Sequence, residues 1–201
     1  MLLHGFVPAS RANGPGLRAV VFFQGCTLAC EGCWNIGSHK FHGPEVSASN
    51  LIQRIDSAIR TSSLEGVTFS GGEPMQQAPA LVELMHQIRA LAPTASMGMF
   101  TGYTEAEFES GRYATRPSTS PAEKQRLWQV VRGYLDFAVM GRYDRTQPDT
   151  APLRTSRNQQ LVLFSRRYEE RDFGQQIVEV AIAGDGKAVM TGFPILGSPA
   201  S

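Results

Sequence analysis

The run Ala19-Val20-Val21-Phe22-Phe23 is the stretch that most limits what this chain can fold into. Five apolar residues in succession, with no polar alternation, fit a strand covered on both faces, as in a parallel sheet flanked by helices. The strand is expected over Arg18–Gln24. Residues 1–17, rich in Gly, Pro and small polar residues and ending in the turn-forming Asn13-Gly14-Pro15-Gly16, read as a lead into it. What leaves the strand is the segment Gly25–Asn35, with all three cysteines of the chain at Cys26, Cys30 and Cys33. That exit is the C-terminal end of a buried strand, where α/β proteins place their chemistry.

Three thiolates on one short loop can ligate three corners of a four-iron cube. With no fourth cysteine in the chain, the remaining iron then takes a ligand from outside. The same cysteines with His39 or His42 can also form a closed Cys3His zinc site, and the loop alone allows both. A disulfide framework does not suit an odd number of cysteines crowded into one loop.

The rest of the chain alternates strands and helices. Leu51, Ile52, Ile55 and Ile59 share one face of a helix over 47–60, with Ser47 or Ser49 to cap it, and Gly66–Ser70 reads as the next strand. Pro79 opens a helix with Leu81, Leu84, Met85, Ile88 and Leu91 on its stripe, and 95–101 is a third strand. Thr104–Glu109 is expected as a short helix and 110–120 as a surface loop. Ser120-Pro121-Ala122-Glu123 then caps a helix carrying Leu127, Val130, Val131 and Tyr134. Leu135–Met140 and Gln160–Phe164 are further strands. A β-hairpin of Ile177–Ile182 and Lys187–Met190 around Gly184-Asp185-Gly186 ends the pattern. The fold expected is α/β, with a parallel sheet that is open or partly closed, since a full eight-stranded barrel takes about 250 residues.

At 201 residues the chain suits a single domain over 1–201, with a core of about 13–164 and a C-terminal hairpin extension of about 165–201. A net charge of +1 gives no global attraction to nucleic acid or to a membrane, and no apolar stretch approaches the ~20 residues that span a bilayer. The N-terminus shows no secretory leader or anchor, and unpaired cysteines suit a reducing cytoplasm.

The second signal is Gly71-Gly72-Glu73-Pro74, one βαβ unit after the cysteine loop and therefore on the same sheet edge. Two glycines after a buried strand let a backbone approach a ligand closely, and Glu73 can accept from an ammonium group. The zinc alternative explains the cysteines but leaves this segment without a role.

The cysteine spacing together with Gly71–Pro74 resembles the radical S-adenosylmethionine (SAM) superfamily. Asn13-Gly14-Pro15-Gly16-Leu17-Arg18, Phe23-Gln24-Gly25-Cys26, Cys33-Trp34-Asn35, Val67–Pro74, Phe100–Tyr103 and Gly141-Arg142-Tyr143 narrow the resemblance to the anaerobic ribonucleoside-triphosphate reductase activating proteins. Thr155 and Arg157 depart from the Gly-Ser-Ser-Asn-Gln-like stretch usual in that group.

The resemblance implies a partial (β/α) TIM-like barrel and a 4Fe-4S cluster on Cys26, Cys30 and Cys33. It implies SAM at the open iron, with Gly71, Gly72, Glu73 and Pro74 shaping its site and Glu73 at the ammonium. Trp34, Thr101, Gly102, Gly141 and Asn158 are further candidates for SAM or substrate contact. The implied reaction installs a glycyl radical on a partner glycyl-radical enzyme, with a flavodoxin or similar electron donor. Arg154, Arg157, Arg166, Arg167 and Arg171 are a solvated basic face or a dock for such partners.

Overall fold

A computed structural model of the chain describes residues 1–182 and 188–193. The strands are β1 (Leu3–Ser10), β2 (Arg18–Phe23), β3 (Gly66–Gly71), β4 (Ser96–Thr101), β5 (Phe137–Met140), β6 (Gln160–Leu163), β7 (Val178–Ile182) and β8 (Ala188–Gly192). The helices are α1 (Ala48–Thr61), α2 (Ala78–Leu91), α3 (Glu105–Glu109) and α4 (Pro121–Tyr134). Strands β1 to β6 form one sheet in sequence order, and β7 pairs with β8 in a separate antiparallel hairpin. The four central strands, β2 to β5, run parallel, while the edge strands β1 and β6 run antiparallel to their neighbours.

The parallel strands are covered on both faces, as the apolar run over β2 requires. Ala19, Val21 and Phe23, with Val67, Phe69, Met97, Met99, Ala138 and Met140, pack against Leu51 and Ile55 of α1, Leu81, Leu84, Met85 and Ile88 of α2, and Leu127, Trp128 and Val131 of α4. Helix starts follow their caps: Ser47 accepts from the Asn50 amide and Ser120 from the Glu123 amide. The intervening residues of the strands face the other side, because successive side chains of a strand alternate. There Phe137 and Val139 join Leu153, Tyr168, Phe173 and Phe193 in a second core.

Arg18 lies on that second face with no exposed surface. Its Nε donates to Thr68 Oγ1 at 2.7 Å, its Nη1 to the Pro15 carbonyl at 3.0 Å, and its Nη2 to the carbonyls of Val67 and Ser96 at 3.2 Å each. The guanidinium also stands 5.1 Å from the Phe137 ring centroid. One buried cation thus ties the starts of three parallel strands to the turn at Pro15, its desolvation offset by donors that all find acceptors.

One expectation is corrected. Residues 3–10 form β1, an edge strand, rather than part of a turn-rich lead. Gly5 and Pro8 mask it in the sequence, yet both suit an edge whose register with β2 shifts on either side of Phe6 and Val7. Residues 110–120 form a surface loop as expected, and the loop is anchored. Tyr113 is buried with its ring 4.9 Å from Phe108, and its hydroxyl donates to the Lys124 carbonyl at 2.6 Å. The hairpin strands form as expected, and the turn Gly184-Asp185-Gly186 lies outside the described residues.

Replacing Arg18 with Met keeps the apolar stem and removes every donor. Urea unfolding of Arg18→Met is expected to show a loss of about 3 kcal/mol with an unchanged slope, from carbonyls left buried without partners.

Candidate functional site

A cavity of about 220 Å³ lies over the second face at the C-terminal ends of the parallel strands. Phe22, Ser70, Phe100 and Val139, on β2 to β5, form part of its wall. Cys26, Cys30 and Cys33 line it together with Gly71, Gly72 and Glu73, so the two segments singled out in the sequence meet in one space. Thr101, Gly102, Gly141 and Trp34 also line it. Pro74 is buried behind the wall, where it opens a 3-10 turn over Pro74–Gln77. Asn158 also lies off the cavity, its Nδ2 donating to the Arg142 carbonyl at 2.7 Å.

The glycines are explained by the approach of one loop to another. The Gly72 amide donates to the Phe23 carbonyl at 2.8 Å and the Glu73 amide to the Gly25 carbonyl at 2.9 Å. A Cβ on Gly72 would stand 2.4 Å from the Gly25 oxygen, and Gly71, at φ +103°, has the Phe23 backbone within 2.5 Å of the same position. No side chain fits where two backbones are stitched this closely.

Glu73 is fully buried, and its carboxylate already has donors within the chain. Oε1 accepts from the Met75 amide at 3.0 Å and from Thr101 Oγ1 at 2.9 Å, and Oε2 accepts from the Gly102 amide at 2.8 Å. Three of about four lone-pair positions are used, leaving one on Oε2. Burial pushes the Glu73 carboxyl up to about 7, against the lowering effect of these hydrogen bonds.

The cysteines are free and half-buried. Burial raises the Cys26 thiol to about 11 and also raises Cys33, so metal binding here must displace protons. The backbone of Leu28 and Ala29 at Cys26, and that of Asn35 at Cys33, works against this burial by favouring the thiolate. Ala29 reaches this arrangement at φ +50°. Amides aimed at thiolates are the environment that iron–sulfur ligands take. A four-iron cube takes its thiolates at separate corners, and this donor set fits it.

Several contributors carried no isolated signal in the sequence. Met190, Thr191, Gly192 and Phe193 of the C-terminal hairpin line the same cavity. Asn13 joins them to the loop before β2, its Nδ2 donating to Thr191 Oγ1 at 2.9 Å. Phe193 also packs against Phe100, ring centroids 5.7 Å apart. Over the cysteine loop, Trp34 pairs with Tyr143 at 6.0 Å and Arg145 with Glu31 at 2.6 Å. Of the basic side chains in the last third, Arg154, Arg167 and Arg171 are each paired within the chain, with Asp149, Glu65 and Glu169.

Fold and site together define an α/β protein that carries a three-cysteine metal loop over one face of a largely parallel sheet. Residues 12–162 match the 4Fe-4S single cluster domain family, and the chain belongs to that family. It is similar to the anaerobic ribonucleoside-triphosphate reductase-activating proteins of Vibrio cholerae (26% identity, 82% of this chain and 99% of the relative) and Enterobacteria phage T4 (27%, 77% and 88%). The protein of that name from Escherichia coli is 28% identical over 56% of this chain and 75% of its own length. No helix among the described residues is long and apolar enough to cross a membrane.

Gly72→Ala is expected to lower stability by about 2 kcal/mol in urea, as overpacking does. The same variant should fall below the wild type in iron retained after anaerobic reconstitution, because the added methyl separates the two loops.

A second expectation concerns Glu107, whose carboxylate takes two hydrogen bonds from Arg142 at 2.7 Å each and is held down to about 2, chiefly by that pairing. A carboxyl with a lowered folded pKa stabilises the fold above its unfolded value near 4.5, and that contribution is lost as pH falls toward about 2. The pair is partly open to solvent, so Glu107→Gln should cost about 1 kcal/mol at pH 7. Urea unfolding at pH 7 and at pH 2 checks that the difference from wild type has largely closed at the lower pH.

Proposed function

We propose that this chain is a radical SAM activase. Its resident cofactor is a 4Fe-4S cluster on Cys26, Cys30 and Cys33, and its substrate is a backbone glycine of a partner glycyl-radical enzyme. By the names of its relatives that partner is anaerobic ribonucleotide reductase. The observation that carries the reading is the convergence of the three cysteines and Gly71–Glu73 on one cavity, in a chain with no fourth cysteine to complete the ligand set. Cys26, Cys30 and Cys33 would hold the cluster, which would supply one electron to a net reaction of SAM and glycine giving methionine, 5′-deoxyadenosine and a glycyl radical.

The chain's own residues bind, orient and exclude water. Glu73 holds the Gly102 amide and Thr101 hydroxyl in place along the wall, and its free lone pair on Oε2 is the position for an ammonium donor. Gly71, Gly72 and Pro74 hold the backbone that carries Glu73. Gly141 extends this wall to the exit of β5 by donating from its amide to the carbonyls of Thr101 at 3.0 Å and Tyr103 at 3.1 Å, and Asn158 braces the segment that follows it. Trp34, 37% exposed and beside Tyr143, shields the cysteine loop and offers a flat surface to an adenine ring.

In this reading the six-stranded sheet is a partial (β/α) barrel of the radical SAM type. Its unpaired edges, β1 and β6, leave a side through which a protein loop reaches the cavity. The C-terminal extension belongs to the same single domain, since it contributes to the cavity wall. A flavodoxin-like donor supplies the electron, and the unpaired cysteines suit a reducing cytoplasm.

Anaerobic reconstitution should give about four irons and four sulfides per chain. Reductant and SAM should then yield 5′-deoxyadenosine, and addition of the candidate reductase a glycyl doublet in electron paramagnetic resonance. Replacement of any one cysteine by Ser should abolish all three. Cleavage of SAM without a doublet on any candidate reductase would indicate a small molecule or peptide substrate instead, and zinc without sulfide would overturn the enzyme reading.

A further inference from the structure

Gln76 lies two residues beyond Gly71-Gly72-Glu73-Pro74 and is fully buried. Its side-chain oxygen accepts from the Thr27 amide at 3.0 Å, and its nitrogen donates to Thr27 Oγ1 at 2.7 Å and to the Tyr103 hydroxyl at 2.8 Å. Both N–H groups are used, and two of the three side-chain hydrogen bonds go to Thr27, the residue next to Cys26. The same Tyr103 hydroxyl accepts from the Ala114 amide at 3.1 Å, and the Arg116 amide donates to the Gln76 carbonyl at 2.7 Å. Segment 110–120 therefore stands directly behind Gln76.

That segment reaches the cysteine loop a second way. The Arg116 guanidinium stands 4.3 Å from the Phe41 ring centroid, and Phe41 covers Gly25 so closely that a Cβ there would meet its ring at 2.4 Å. The amides of Gly25 and Cys26 are bonded to the carbonyls of Ser38 and His39 at 2.6 and 2.9 Å. The start of the cysteine loop is thus fixed from two sides by contacts that involve no cysteine side chain.

We propose that Gln76, backed by Tyr103 and segment 110–120, is a positioning clamp that presets the Cys26 end of the loop for cluster assembly. The proposal rests on the cluster reading above. Outer-shell partners of this kind orient ligands without touching the metal, and their loss typically weakens metal retention by about 10- to 100-fold. A buried amide that merely satisfies itself in the core would stabilise the fold as a whole and leave cluster retention unaffected once stability is matched.

The test uses the full chain. In the apo-protein, amide exchange at Thr27 is expected to be slow in the wild type and about tenfold faster in Gln76→Leu. In the reconstituted protein, loss of the cluster to a chelator, followed by its visible absorbance, should be about tenfold faster in Gln76→Leu and also faster in Thr27→Val. Thr27→Ser, which keeps the hydroxyl, should retain the wild-type rate. Ser47→Ala, which removes the cap of α1, should lower the melting temperature without changing the rate. Thr27 is exposed, so Thr27→Val carries the test if Gln76→Leu does not fold.

Wild-type rates in Gln76→Leu or, where that variant does not fold, in Thr27→Val would overturn the clamp, as would equal acceleration by Ser47→Ala or fast exchange at Thr27 in the wild type. A wild type that takes up no iron and sulfide would overturn the cluster reading, a result distinct from any of these.

Discussion

Everything at the site depends on the backbone seam between β3's exit and the start of the cysteine loop. Two amides, those of Gly72 and Glu73, donate to the carbonyls of Phe23 and Gly25. The seam continues the parallel pairing of β2 with β3 beyond the strands, where Phe23 is still in register with Gly71. Because it consists of main chain, it permits no side chain at Gly72, and it carries Glu73 inward to a buried position. From there one carboxylate reaches Thr101 and Gly102 on the next strand's exit. The ends of β2, β3 and β4 thereby become one wall, and the cysteines hang from it.

Polar groups inside this protein are organised by the same rule at both ends of the sheet. At the N-terminal ends of the strands, Arg18 draws carbonyls together with its donors. At the C-terminal ends Glu73 draws backbone and hydroxyl donors together with its oxygens. Neither group touches an opposite charge directly, and each is stabilised by dipoles that the fold orients for it. Between them lies the apolar packing that makes the sheet rigid enough to hold a cavity open.

Much of this was legible in the chain. The unbroken apolar run before Cys26 identified a doubly covered strand, and the stripes at Leu51–Ile59 and Leu81–Leu91 identified the helices that cover it. The βαβ rule places Gly71–Pro74 beside the cysteines, and Gly71, Gly72 and Glu73 line the cavity with them. Strand β1 was not legible, because Gly5 and Pro8 read as breakers and only an unshared edge tolerates them. The anchoring of 110–120 was hidden as well, since Tyr113 stands among Gly, Pro and Ser residues and no apolar periodicity there marks its packing on Tyr103 and Phe108.

The chain by itself determined the ligand chemistry and the edge of the sheet where that chemistry sits. Cysteine number, spacing and the strand before them are local properties, and the right-handed crossover that brings Gly71–Pro74 alongside follows from chain chirality. Tertiary structure alone decided what each of these groups touches: that Gly71 and Gly72 accommodate a neighbouring backbone, that Glu73 is largely occupied by its own chain, that Gln76 holds Thr27, and that the C-terminal hairpin walls the cavity. The physical reason is that hydrogen-bond partners and burial are set by segments tens of residues or more apart, and no local pattern records which carbonyl or amide will arrive there.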